Sequence, residues 1–216
     1  MTSDPISPAR QAVVLSLDFA QEFAVRAHEG QLRKGGDVPY ISHPLAVADR
    51  LWHIYRREDL AIAGLLHDVV EDTPITIGAI SKLFGSYIAA LVAAVTKVPG
   101  RGMTLPVAPT GTLSYQDRDV LRLKGADLYS NLVDTANDVD KGKYVWNRFA
   151  SGRGKIEVWA SEIALVGQLV KGPLAHHGDR ETFYPLETLL VLVRGLANIV
   201  NDAERTWLLA NEAAAG

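Results

Sequence analysis

The sequence predicts an all-α protein, a compact irregular helical bundle, and three observations carry that expectation. Apolar residues recur at three- and four-residue steps along most of the 216 residues, the period of a helix with one buried face. No alternation of apolar and polar residues reaches strand length, and no internal repeat is present. The periodic segments are punctuated as helices are, with Ser, Thr or Pro at their starts and Gly or Pro at their ends. The length suits one domain with a substantial core. We therefore expect residues 1–8 to be a flexible lead-in and 9–216 to be a single domain.

Taken in order, Ser7-Pro8 reads as a cap with a first-turn proline. Val13, Leu17, Ala20, Phe23, Ala24 and Ala27 then mark an amphipathic helix ending near Gly30. A loop with Arg33-Lys34, Gly35-Gly36 and Pro39 follows. His43-Pro44 opens a helix over 45–55, with Leu45, Ala48, Leu51 and Trp52 as its buried stripe. Residues 58–72 read as one continuous helix stopped by Pro74. Thr76 caps a short helix that Gly85 breaks, and a very apolar helix covers 86–98. A long Gly/Pro-rich loop leads to Ser114, which caps a helix over 114–138. Helices over 158–170 and 187–209 follow, with Gly172-Pro173 and His177-Gly178-Asp179 expected as separators.

The composition excludes several classes of function. A net charge of −3 provides no basic surface for general nucleic-acid binding, yet leaves room for a small anion held by local Arg and Lys. With no cysteine there can be neither disulfides nor thiolate metal sites. Residues 1–10 lack the basic-then-apolar pattern of a signal peptide. The apolar run at 88–95 is far short of the ~20 residues a membrane span needs. A cytoplasmic location without a membrane partner is the resulting expectation.

The chemistry centres on Leu66-His67-Asp68-Val69-Val70-Glu71-Asp72-Thr73. On a continuous helix His67 would lie over Glu71, and Asp68 over Asp72. Burying such groups costs several kcal/mol unless they are paired or bind metal. A solvated helix end before Pro74 is the competing explanation, so the test is whether other segments supply partners. Asp127 lies near an inward face set by Leu121, Leu128 and Leu132, with Lys124 and Asn131 on the same side. His43 stands at a helix start. His28 beside Glu29 reads as a surface residue, and His53, His176 and His177 carry little weight.

One ordered set of motifs is specific. Ala27-His28-Glu29-Gly30-Gln31, Arg33-Lys34, Pro39-Tyr40-Ile41, His43-Pro44, the His67-Asp68 segment, Phe84-Gly85, Val95-Thr96-Lys97 and the stretch from Lys124 to Asn131 follow one another. This resembles the hydrolase domain of the Rel/Spo homologues, within the HD-domain phosphohydrolases, over about residues 20–137. The chain is similar to the stand-alone small alarmone hydrolases, since it has no room for a nucleotide-synthesising domain. The resemblance implies metal ligands at His43, His67, Asp68 and Asp127, and a carboxylate pair at the attacking water at Glu71 and Asp72. It implies base packing by Arg33 with Lys34 beside it, and a nucleoside contact by Asn131. Lys97, Lys124 and Arg101 are candidates for the substrate phosphates. Two departures stand out. The loop from Arg33 to Tyr40 is one residue longer than the family spacing. In the family's Leu-Ala-Asp-Arg/Lys-Leu-His/Tyr-Asn, Gly125 replaces the first Leu, the basic residue is lost at Leu128, the aromatic moves to Tyr129, and Ser130 takes its old place.

Two imidazoles and two carboxylates suit Mn²⁺, Fe²⁺, Zn²⁺ or Ni²⁺, and the family precedent is one Mn²⁺. The implied reaction is metal-dependent hydrolysis of the 3′-pyrophosphate of (p)ppGpp to GDP or GTP and pyrophosphate, on a small-molecule nucleotide. An NADPH 2′-phosphatase on the same site is the alternative enzyme. A nucleotide-binding sensor without turnover is the alternative from another class. The presence of Glu71, Asp72 and all four ligands counts against the sensor.

Overall fold

The computed structural model describes residues 16–34, 36–98, 100, 102–107, 113–171 and 175–214, with side chains through 199. The expected cap at Ser7-Pro8, the lead-in, Arg101 and Gly172-Pro173 lie outside these residues. Eight α-helices carry the described chain, and two isolated bridges, Leu32 with Pro39 and Val98 with Gly102, are its β pairings. The all-α expectation is met.

Helix α1 (Leu17–Ala27) starts at Ser16, whose side chain accepts from the Phe19 amide. Helices α2 (Ser42–Tyr55) and α3 (Glu58–Leu66) cross closely. The expected helix over 58–72 is in fact interrupted. It stops at Leu66, turns through His67 and Asp68, and resumes as the four-residue α4 (Val69–Asp72). The turn places two polar side chains at the end of a buried apolar helix, where His67 meets Asp127 of α6, and Asp68 meets Tyr40 and His43 of α2.

Helix α5 (Ile77–Val95) is capped by Thr76 and runs through Gly85, whose φ of 88° and ψ of 160° break the helical path. Only glycine adopts that conformation without strain. At 19 residues and a mean hydropathy of 1.6, α5 has the length and composition of a membrane span, in contrast to the shorter apolar run at 88–95. The kink splits it into two short pieces, and Phe84, Ile88, Leu91 and Val92 pack into the core.

Helix α6 (Tyr115–Asp140) opens with a capping box: Ser114 Oγ accepts from the Asp117 amide, and Asp117 accepts from the Ser114 amide. It threads two hydrophobic clusters. Val120, Leu123 and Ala126 join the core of α1–α5. Leu121, Leu128 and Leu132 join a second core with Trp146, α7 (Lys155–Val166) and α8 (His177–Ala214). His177-Gly178-Asp179 is therefore no separator but the first turn of α8. Asp179 accepts from the His176 amide there, which satisfies one of the orphan donors of a helix start.

The α6–α8 contact explains Gly125. A Cβ at this position would stand 2.5 Å from Thr182 Cγ2 and 3.3 Å from Val166 Cγ1. The leucine that the family pattern has here would collide with α8. Gly125→Leu is expected to cost at least ~1–3 kcal/mol, the usual penalty of overpacking. Urea unfolding followed by circular dichroism measures it, and an unchanged midpoint would contradict this packing.

Candidate metal centre

Three segments meet at the inner end of one cavity. His43 comes from the first turn of α2, His67 and Asp68 from the turn between α3 and α4, and Asp127 from the middle of α6. Both imidazoles are buried. His67 Nε2 is 3.0 Å from Asp68 Oδ2 and 3.8 Å from Asp127 Oδ1. His43 Nε2 is 3.5 Å and 3.3 Å from the same two oxygens. His43, His67 and Asp68 form a cluster whose ligand atoms all lie within 4.8 Å of one another. Asp127, 84 places after His43 in the chain, faces the same point.

The rings are held from behind. His67 Nδ1 lies 2.9 Å from the carbonyl of Gly64, an acceptor, so Nδ1 carries the proton. His67 Nε2 is buried, makes no well-formed hydrogen bond, and faces the two carboxylates. His43 Nδ1 lies 2.9 Å from Ser130 Oγ. Tyr40 donates to Asp68 Oδ2 at 2.6 Å. Asp127 accepts from Lys124 Nζ at 3.0 Å and from Asn131 Nδ2 at 2.6 Å.

The electrostatics fit a cation. Burial would push His67 down, but the Asp68 and Asp127 carboxylates overcome it and hold the imidazole well above its ordinary value. Burial would raise Asp127, yet Lys124 and the two histidines hold it well below the carboxylate range. Asp68 is likewise lowered, by His67 against its own burial. Two negative carboxylates thus converge on an orphaned imidazole nitrogen. A divalent ion satisfies all of them, and the cluster can coordinate one.

The surrounding cavity has a volume of about 770 Å³ and is lined by Arg33, Lys34, Lys97, Lys124, Arg148 and Lys155 among others. The site residues expected from the sequence that lie among the described residues therefore share one cavity. Glu71 accepts from Lys97 twice, at 3.1 Å from both Nζ and the backbone amide. Asp72 makes no ion pair among the described residues and is approached by the Tyr40 hydroxyl. Burial first, and the Asp68 charge second, raise its pKa. Arg33 donates to Asp134 Oδ2 at 2.6 Å and lies 5.7 Å from the Tyr40 ring centroid. Lys124 sits between Asp127 and Glu162 of α7. Lys155, at the start of α7, rests over the Trp159 ring.

Several contributors went unassigned in the sequence. His28 is not a surface residue: it is buried, with Nδ1 2.8 Å from Gln31 Oε1 and its ring 4.9 Å from Tyr40. Glu29, not His28, faces solvent. Tyr40 could have been found from its place between Pro39 and His43. Ser130, Glu162 and Lys155 carry no sequence signal, because their roles come from helices that meet only in three dimensions.

An HD-domain family model matches residues 20–122, the span holding three of the four converging residues. Escherichia coli (strain K12) bifunctional (p)ppGpp synthase/hydrolase SpoT is 42% identical over 98 residues, covering 45% of this chain and 13% of that protein. The chain is an HD-domain protein related to the Rel/SpoT (p)ppGpp hydrolases. A guanosine-3′,5′-bis(diphosphate) 3′-pyrophosphohydrolase of Aquifex aeolicus (strain VF5) is 47% identical over 163 residues. That match takes in 73% of this chain and 20% of the relative. The chain thus spans a small share of the curated relatives it matches. The fold is that of a solved metazoan ortholog of SpoT, with a TM-score of 0.54 at 24% identity, covering 90% of this chain and 99% of that one. In this HD domain the His-Asp pair is the turn after α3, not part of a continuous helix.

Proposed function

We propose that this HD domain hydrolyses the 3′-pyrophosphate of (p)ppGpp, with Mn²⁺ held by His43, His67, Asp68 and Asp127. The observation that carries the reading is the convergence of two imidazoles and two carboxylates at the inner end of a cavity rich in lysine and arginine. Such a cavity suits a substrate with several phosphates, and the relatives named for this reaction support guanosine as its base. We take residues 9–216 as one functional domain, since α6 packs in both cores.

When bound, the cation supplies Lewis-acid polarisation of water and of the phosphoryl oxygens. The water oxygen bonds to the phosphorus on the ribose 3′ oxygen, the P–O3′ bond breaks, and the 3′ oxygen takes a proton as pyrophosphate leaves. In this reading Asp72 accepts the proton of the water, because its carboxylate makes no ion pair with a described residue and its basicity is raised. Glu71 anchors Lys97 at the cavity wall instead. This departs from the expectation that places both carboxylates at the attacking water. Lys97 and Lys124 face the phosphates, and Arg33, Lys34 and Asn131 form the nucleoside side.

Purified protein with Mn²⁺ and ppGpp, pppGpp or NADPH, with products identified, tests the reading. GDP or GTP plus pyrophosphate is the expected outcome. Orthophosphate from NADPH alone would overturn it in favour of the 2′-phosphatase. Asp72→Asn is expected to keep its metal while losing ~10²–10⁴-fold in kcat, the worth of a general base. A kcat within a few-fold of wild type would remove Asp72 from that role.

A further inference from the structure

The two histidines of the cluster are held by different kinds of partner. Behind His67 stands the Gly64 carbonyl, which only accepts, so Nδ1 carries a hydrogen whatever Nε2 faces. Behind His43 stands the hydroxyl of Ser130, which accepts or donates as its hydrogen turns. His43 is buried, and its Nε2 lies 3.3 Å from Asp127 Oδ1 and 3.5 Å from Asp68 Oδ2. Facing those carboxylates without a cation, Nε2 is best served by carrying the hydrogen. Facing a cation, it must be bare, and the hydrogen must sit on Nδ1 with an acceptor behind it. Ser130 Oγ meets both demands at one 2.9 Å distance.

We propose that Ser130 is the positioning residue for His43: its oxygen takes the Nδ1 hydrogen and so turns the Nε2 lone pair toward the cation. The inference rests on the metal reading of the cluster. Ser130 is buried and lies three residues, almost one helical turn, after Asp127 on α6. One helix therefore carries a carboxylate of the cluster and the group that aims its histidine. Ser130 stands where the resembling family has His or Tyr. A partner behind a ligating imidazole fixes its tautomer and orientation, and losing one commonly costs ~10–100-fold in metal affinity.

The test uses metal-free protein titrated with Mn²⁺ alone by calorimetry, comparing wild type, Ser130→Ala and Ser130→Thr. Ser130→Ala is expected to bind ~10–100-fold more weakly. Ser130→Thr, which keeps the hydroxyl, is expected to stay within a few-fold of wild type. Equal affinity in wild type and Ser130→Ala would overturn the proposal. So would an equal loss in Ala and Thr with intact helical circular dichroism, since that points to packing. A wild-type protein that binds no Mn²⁺ would instead defeat the metal reading itself. Independently of any variant, a long-range ¹H–¹⁵N spectrum of Zn²⁺-loaded wild type must place the His43 hydrogen on Nδ1. A bare Nδ1 there would also overturn it.

Discussion

Asp68→Ala is expected to lose the divalent cation and hydrolysis together. Asp68 Oδ2 lies within 3.5 Å of both imidazole Nε2 atoms and is held by the Tyr40 hydroxyl. Removing it takes one negative charge from the centre and leaves the His67 nitrogen facing Asp127 alone, at 3.8 Å. Metal catalysis stabilises a phosphoryl transition state by several kcal/mol, so its loss corresponds to at least ~10³-fold in kcat/KM. Metal content by elemental analysis and turnover at saturating Mn²⁺ are the measurements. Chelation of the wild type should reproduce the same loss, and added Mn²⁺ should reverse it only in the wild type. An Asp68→Ala protein that keeps stoichiometric metal and normal turnover would remove the cluster from the mechanism. The contrast with Asp72→Asn is diagnostic, because that variant should lose rate while keeping metal.

The second large effect concerns stability. Asp179, fully buried in the first turn of α8, accepts from Arg122 Nε at 2.8 Å and from Arg118 Nη2 at 2.5 Å. Arg122 also bonds Asp119, which is fully buried and accepts in addition from Arg57 and Tyr87. The network pins α8 to α6 and to the α2–α3 turn. Asp179→Ala leaves two buried guanidinium groups short of a partner, a change expected to cost ~3–5 kcal/mol. That is a large part of the ~5–15 kcal/mol that holds a domain folded. Urea unfolding at pH 7 measures it, and a loss under ~1 kcal/mol would contradict the network's role.

The same residue predicts a pH dependence. Burial would raise the Asp179 carboxyl, but Arg122 and the His176 amide bring it below the ordinary range. A carboxyl lowered in the folded state stabilises above its unfolded pKa of ~3.9. That contribution is lost as pH falls through the folded value. The wild type should therefore lose stability below about pH 4 more steeply than Asp179→Ala does. Parallel acid profiles for the two proteins would show that Asp179 is not a source of the acid sensitivity.

Helix periodicity and capping were legible because both are local. Ser114 with Asp117, Thr76 and Pro44 act within a turn of themselves, and the structure places helix starts at each. The residues of the candidate centre were legible for a different reason. Polar side chains such as His67, Asp68 and Asp127 stand out inside apolar runs, and the order of the motifs matched a known family. What the sequence by itself determined was thus the all-α class, most helix starts, and the identity of the converging residues. Only the tertiary structure decided that α3 stops before His67, since the gain comes from partners on α2 and α6 far away in the chain. It alone tethered Glu71 to Lys97 and left Asp72 without an ion pair among the described residues, buried His28 behind Tyr40, and put Ser130 behind His43. It also made Gly125 necessary, through Thr182 on a helix that begins 52 residues later. Local propensity is written in neighbouring residues, whereas the tuning of a buried charge or ring depends on groups that meet only after the chain has packed.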